Sequence, residues 1–304
     1  MKLFIKYIII TLIGVIVLDL VIRPFCEYLY DTLPDGSKTK EDIAYIYNKE
    51  QSDILILGAS RASHHYNSDM ISKELGVSCF NAGMDGMPIY HQYLCLLKSI
   101  ENGPVKEVII DLSPAQVTKG WMTERFSKMT PFYWSNDSVR KVIDTESKYK
   151  ENSKYLYLSS FVQYNSRIHL LTELFYSRKS NRIKGYDPLP YSGKKFIKQK
   201  QGEETEFKID KNALVYMDKI VSLCKSKNIK LFFVVSPSLV SMDNFCQYMS
   251  NYCTNKEIGF MNLSSDSKYV NNAYIWKDLT HMNVKGADMF TNELIEKLKS
   301  GSNG

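Results

Sequence analysis

Residues 53–66, DILILGASRASHHY, decide the fold. Asp53 to Leu57 is a short, continuously apolar run closed by Gly58, the pattern of a strand buried on both faces of a parallel sheet. The same motif of apolar run followed by turn recurs along the chain. The spacing predicts a helix over Ser68 to Leu75 and a second strand over Val77 to Phe80, ending in Asn81-Ala82-Gly83. A helix over Pro88 to Ile100 leads to a third strand, Val105 to Leu112, stopped by Ser113-Pro114. Further on, Asn212 to Lys227 reads as an amphipathic helix and Lys230 to Val235 as a fourth buried strand. A helix over Asp243 to Thr254, a fifth strand over Phe260 to Leu263 and a final helix over Lys285 to Lys299 complete the series. Strands that alternate with helices imply an α/β fold, a three-layer α/β/α sandwich with a parallel sheet and right-handed crossovers.

The alternation stops between Ala115 and Asp210. That stretch holds Trp121, Phe132, Tyr133, Trp134, Tyr149, Tyr155, Tyr157, Tyr164, Phe175, Tyr176, Tyr186 and Tyr191, and is too long for a loop. It reads as a helical insertion, 115–210. Its tyrosines either fill an irregular core or form a lid whose aromatic faces and lysines receive a sugar or an anionic surface. It carries 18 Lys and Arg against 11 Asp and Glu, while the rest of the 304-residue chain carries 21 against 22, so it holds the whole net charge of +6. Nucleic acid is not an expected partner, because no recognition motif accompanies that charge. With 44% hydrophobic and 24% charged residues, the composition excludes disorder and a purely membrane-embedded bundle.

The chain opens with MKLFIKYIIITLIGVIVLDLVIRPF, in which Leu3 to Ile22 is long enough to cross a ~30 Å hydrocarbon core as a helix. Lys6 can snorkel, and Asp19 lies near the far end, where burial costs less than at the midplane. Arg23-Pro24-Phe25 lacks the small residues of a cleavage site, so the segment reads as an uncleaved anchor over 1–25, followed by a stalk over 26–51 and the α/β domain over 52–304. Lys2, Lys6 and the terminal amine favour the cytoplasmic side and place that domain outside the cytoplasm. Six cysteines show no CxxC pair and read mostly as small buried hydrophobes.

Ligands of open parallel sheets bind beyond the carboxyl ends of the strands. After strand one, Gly58-Ala59 before Ser60 permits a sharp turn that presents a hydroxyl, with Arg61, His64 and His65 close behind. After strand two, Gly83 can aim an unpaired backbone N–H at a developing oxyanion without a side chain in the way. Near the end of the chain, Asp278 precedes His281 by three residues, so one tight turn can carry a base and the group that orients it. No histidines have metal-ligand spacing, and no metal or other cofactor is implied. His91 and His169 read as structural or exposed.

The order of these elements resembles the SGNH/GDSL hydrolase superfamily: a serine after strand one, a glycine in a second block and Asp-x-x-His near the end. The match runs from Asp53 to Lys299 apart from the insertion, and implies an SGNH, flavodoxin-like sandwich. By that resemblance Ser60 is the nucleophile, His281 the general base, Asp278 the carboxylate that orients it, and the Gly83 and Ser60 amides bind the oxyanion. NAGMDG, residues 81–86, looks like the family's Asn-x-Gly-x-x-Gly turn. The anchor and the Ser60-Arg61 pair look like the membrane-anchored envelope branch, which includes alginate O-acetylation and teichoic acid D-alanylation proteins. The resemblance implies an esterase or O-acyltransferase acting on acylated envelope polysaccharide or another ester, with envelope-assembly proteins as partners.

Two positions depart from the pattern. Gly-Ala-Ser replaces Gly-Asp-Ser, and Asp111-Leu112-Ser113-Pro114 stands where the family has Gly-x-Asn-Asp, so the side-chain amide donor to the oxyanion is missing. Ser113, Asn81 and Arg61 are candidates for that place, and His64 for lining the site. The missing amide also motivates an alternative, a catalytically weak SGNH-fold protein that binds or assembles envelope polymer.

Overall fold

A computed structural model describes residues 1–32, 52–118, 126, 129–147, 152–164, 181–198 and 207–301. The expected stalk beyond residue 32 lies outside them, as do Trp121, Tyr149, His169, Phe175 and Tyr176.

Five parallel strands form one sheet: β1 (Ile54–Gly58), β2 (Cys79–Asn81), β3 (Glu107–Asp111), β4 (Lys230–Val235) and β5 (Gly259–Asn262), in the order β2-β1-β3-β4-β5. Ile56 of β1 pairs with Asn81 on one side and Ile109 on the other, and all five β1 residues are buried. Helices cover both faces of the sheet, giving an α/β fold. They include α2 (Ser60–His65), α3 (Ser68–Leu75), α4 (Ile89–Asn102), the short α5 (Pro114–Val117), α9 (Lys211–Ser226), α10 (Asp243–Lys256), α11 (Ser267–Val270) and α12 (Val284–Gly301). The strand order reverses between β1 and β3, and a crevice at the carboxyl ends of those strands is where such sheets bind ligands.

Local chemistry sets the boundaries. The Asn67 side chain caps α3 by accepting from Met70 N, and Gly76 ends it in the left-handed region at φ 65°. Asp210 caps α9, accepting from Asn212 N and Ala213 N. One core cluster joins the sheet to α12 through Ile56, Ile109, Val234, Phe290 and Leu294.

The described residues fall into two compact units. One holds the sheet, its helices and residues 181–198; the other holds α1 (Lys2–Thr32) with the segments of 126–164. The second unit contains a 3-10 turn (Thr130–Phe132), α6 (Asp137–Glu146), α7 (Ser153–Leu156) and α8 (Ser160–Tyr164). Phe132, Tyr133, Tyr157 and Tyr164 are buried there, as the core reading of the insertion expects, whereas Trp134 and Tyr155 are exposed. Helix α1 is long and apolar enough to cross a membrane. It runs through Pro24 to Thr32 rather than ending at Phe25. A proline inside a helix removes one hydrogen bond; around it, Leu29 is buried and Arg23 donates to Tyr157 O and Leu158 O.

All six cysteines are free and five are buried. Burial pushes the Cys224 and Cys253 thiols up to about 12, leaving them unreactive.

Candidate active site

Gly58 makes the turn after β1. Its φ is 146°, and a Cβ there would lie 2.7 Å from Asp111 O and 2.7 Å from Ala62 Cβ, so only glycine lets the chain pass between β3 and α2. The turn delivers Ser60, half-buried, as the first residue of α2, a helix that hydrophobic periodicity did not reveal.

The second part of the site is one turn. Asp278 Oδ1 accepts from Thr280 N at 2.8 Å and His281 N at 2.9 Å, and its carboxylate faces His281 Nδ1 at 2.9–3.0 Å. Partial burial opposes ionisation of Asp278, but the imidazole and these two N–H groups hold it well below the usual carboxylate range. A carboxylate at Nδ1 fixes the tautomer with the proton on that nitrogen, so Nε2 is left to accept. His281 Nε2 lies 2.7 Å from Ser60 Oγ. The structure thus brings Ser60, His281 and Asp278 together in hydrogen-bonded series, an arrangement that can move the serine proton to the imidazole.

His65, the last residue of α2, holds the turn that carries His281. Its Nε2 accepts from Met282 N at 3.0 Å, and its Nδ1 lies 3.0 Å from Ser236 Oγ. Full burial lowers its basicity far below the ordinary histidine value, with Arg61 and His281 adding to the effect, so it is neutral. The sequence offered no signal for this bridge beyond an unassigned histidine after Ser60.

His64 lies beside the His281 ring, 5.6 Å away, but bonds to other partners. Its Nδ1 donates to Asp187 O at 2.6 Å, and its Nε2 lies 3.4 Å from Asp85 Oδ1. Burial opposes the charged form, yet the bond to Asp85 and its charge raise His64 above the usual value.

The candidate oxyanion donors have partners of their own. A Cβ on Gly83 would lie 2.4 Å from Ser63 N, so glycine is required for close approach to α2. Its N–H donates to Asn81 Oδ1 at 2.9 Å, which corrects the expectation of an unpaired amide. Asn81 Nδ2 donates to Ala62 O and Tyr66 O at 2.7 and 2.9 Å. Arg61 is buried: one terminal nitrogen forms an ion pair with Asp111 at 2.9 Å and donates to Leu112 O, and the other donates to Ser236 O at 3.1 Å. Both side chains tie the scaffold together, because a buried guanidinium or amide needs every available partner. Ser113 is half-buried after β3 and accepts from Gln116 Nε2 at 3.3 Å, leaving its own O–H to donate.

Residues 181–198, assigned by sequence to the insertion, lie along this site. Asn81 N donates to Lys184 O, and Asp187 N to Ser63 O, both at 2.9 Å. Gly185, at φ 85°, packs where a Cβ would lie 1.8 Å from Asn81 O. The Gly185 and Pro188 turn residues were the available signal. Among the described residues no group of three His, Cys, Asp or Glu is placed to hold a metal ion.

No family model and no curated protein sequence matches the chain. The solved structures that match include proteins described as an acylhydrolase and as GDSL-type lipolytic proteins. A GDSL-like lipase from Bacteroides thetaiotaomicron VPI-5482 is 12% identical, with 86% of this chain and 98% of that chain covered and a TM-score of 0.41. An acylhydrolase from Bacteroides fragilis NCTC 9343 is 12% identical over 88% of this chain and 93% of its own, with a TM-score of 0.40. A G-D-S-L family lipolytic protein from Desulfitobacterium hafniense DCB-2 is 8% identical over 80% and 98%, with a TM-score of 0.41.

Proposed function

We propose that the chain is an SGNH-type serine esterase or O-acyltransferase, held in the cell membrane by α1 with its α/β domain, 52–304, on the extracytoplasmic side. The observation that carries the reaction is the 2.7 Å contact of His281 Nε2 with Ser60 Oγ, backed by Asp278 on the opposite ring nitrogen. Ser60 Oγ attacks the ester carbonyl carbon as His281 Nε2 takes its proton. Asp278 holds the ring and stabilises the imidazolium. The Ser60 amide opens α2, where a helix's first N–H groups have no intrahelical acceptor, and so faces the oxyanion. Gly83 N–H joins it by exchanging Asn81 Oδ1 for the substrate oxygen, and Ser113, whose O–H follows β3, is the proposed third donor. His281 then protonates the departing alcohol, the C–O bond of the ester breaks, and an acyl-Ser60 intermediate remains. Water or a sugar hydroxyl, deprotonated by His281, resolves it. An acylated envelope polysaccharide is the proposed substrate, in keeping with the anchor and the basic, aromatic insertion.

The occupied Gly83 amide favours the second reading, a binding or assembly protein with little turnover. Treating the full chain with a fluorophosphonate separates them, since Ser60 labelling requires an activated hydroxyl. Ser60→Ala is expected to lower kcat on a chromogenic acetyl ester by about 10⁴–10⁶. Equal activity in Ser60→Ala and wild type would sink the mechanism. Adding oligosaccharide acceptors to the same assay separates transfer from hydrolysis.

A further inference from the structure

The two charges near the end of the apolar stretch are answered within their own unit. Asp19 accepts from Ser159 Oγ at 2.9 Å and from the backbone N–H groups of Ser160 and Phe161 at 3.0 Å. Arg23 donates to Leu158 O at 3.1 Å and Tyr157 O at 3.4 Å, and its Nε approaches Ser160 Oγ at 3.5 Å. Residues 157–161 are therefore fixed against α1 at the height of Asp19 and Arg23. At 1.5 Å per residue, a span from Leu3 to Ile22 measures about 30 Å, the thickness of the hydrocarbon core. Asp19 then lies roughly 5 Å inside the edge of that core, and the turn bonded to it shares its depth.

The side chains around that turn suit that depth. Its polar members, Ser159 and Ser160, are spent on Asp19 and Arg23. Leu158 is 61% exposed, and Phe161 and Val162 are each 43% exposed. Tyr155 is 61% exposed with Lys154 Nζ over its ring, and Trp134, 37% exposed, donates Nε1–H to Tyr157 O at 2.6 Å. A water-facing turn does the reverse, showing its serines and hiding its leucine and phenylalanine. Tyrosine and tryptophan with a polar tip and an apolar body are the residues found at the boundary of a bilayer, and a lysine beside them reaches lipid phosphates.

We propose that residues 155–162, with Trp134, form a second membrane contact: an interfacial foot that sinks into the bilayer surface from which α1 emerges, its partner being phospholipid. The foot is bonded to α1 itself through Asp19 and Arg23, and the inference rests on α1 spanning the membrane. Asp19 and Arg23 then serve to dock the foot at one height, which explains why two charges stand at the end of an apolar helix.

The test uses the full chain in phosphatidylcholine–phosphatidylglycerol vesicles that contain lipids with a photoactivatable diazirine, either near the carbonyl end or near the methyl end of an acyl chain. Adducts are mapped by mass spectrometry. The expected result is labelling of residues 155–162 by the shallow probe and of Ile8 to Ile16 by the deep one. Phe161→Asp combined with Val162→Asp is expected to abolish the shallow adducts while α1 labelling persists. Labelling of α1 without adducts on 155–162 would overturn the foot and leave the anchor standing. An α1 that the deep probe does not label would overturn both.

Discussion

Two carboxylate–imidazole pairs flank Ser60, and they are built for opposite ends. In the Asp278–His281 turn the carboxylate occupies Nδ1 and leaves Nε2 facing a hydroxyl at 2.7 Å. Between the 81–86 loop and α2, His64 has one nitrogen on a backbone carbonyl and the other on Asp85, so both partners accept and the ring is best satisfied as a cation. A carboxylate beside a histidine thus makes a base only when the other nitrogen faces something with a proton to give. His64 and His281 lie ring to ring, 5.6 Å apart and perpendicular, so the difference arises over a very short distance.

Substitutions that exchange the fates of the two pairs give the sharpest contrast. His281→Gln is expected to lower kcat/KM on an acetyl ester by about 10⁴ or more, whereas His64→Gln keeps activity within roughly tenfold of wild type, measured on the same substrate. Equal losses in the two variants would erase the distinction. His65→Leu removes the acceptor of Met282 N and lets the base-bearing turn drift, and a misplacement near 1 Å costs about 10² in kcat. His65→Gln, which restores an acceptor, should recover much of that loss, and a purely structural role would show itself as lowered stability without that pattern of rescue.

Smaller effects test the loop that carries Asp85. Gly83→Ala sets a methyl against the Ser63 amide and should destabilise the fold by about 1–3 kcal/mol, read from the denaturant midpoint. The least effect concerns pH. Because His64 is raised in the folded state, the stability it contributes is complete below its unfolded value near 6.5 and is lost as pH rises through the folded value. Asp85→Asn should therefore lower the melting temperature most at about pH 5–6.5 and have little effect well above that range, and a pH-independent deficit would contradict the pairing.

The sheet was legible because β1, β3 and most of β4 are buried apolar runs, and because α3 and α9 carry their own capping residues. Lys230–Val235 and Ser68–Leu75 match their expected spans, the latter bounded by Asn67 and Gly76. Helix α2 was not legible, since Ser60–His65 has no apolar stripe and its course is set by the squeeze at Gly58. The spacing of Asp278 and His281 could be read as one turn, but the partners of Gly83, Arg61 and His65 could not. Those bonds join residues whose side chains meet only after the sheet has assembled, as Arg61 meets Ser236 and His65 meets Met282. The seam of residues 181–187 along β2 escaped notice for the same reason.

One bond carries a different kind of consequence. Asp210 N donates to Val117 O at 2.9 Å, so the two ends of the long excursion between β3 and β4 are tied to each other, while residues 184–189 return to the scaffold between them. In polymer terms it is a ring closed at its neck, and doubling the length of such a ring adds only about 0.6 kcal/mol of closure entropy. The sheet is accordingly indifferent to how much chain hangs from that neck. The length of the excursion can therefore change at little entropic cost to the strands, provided the seam along β2 is kept.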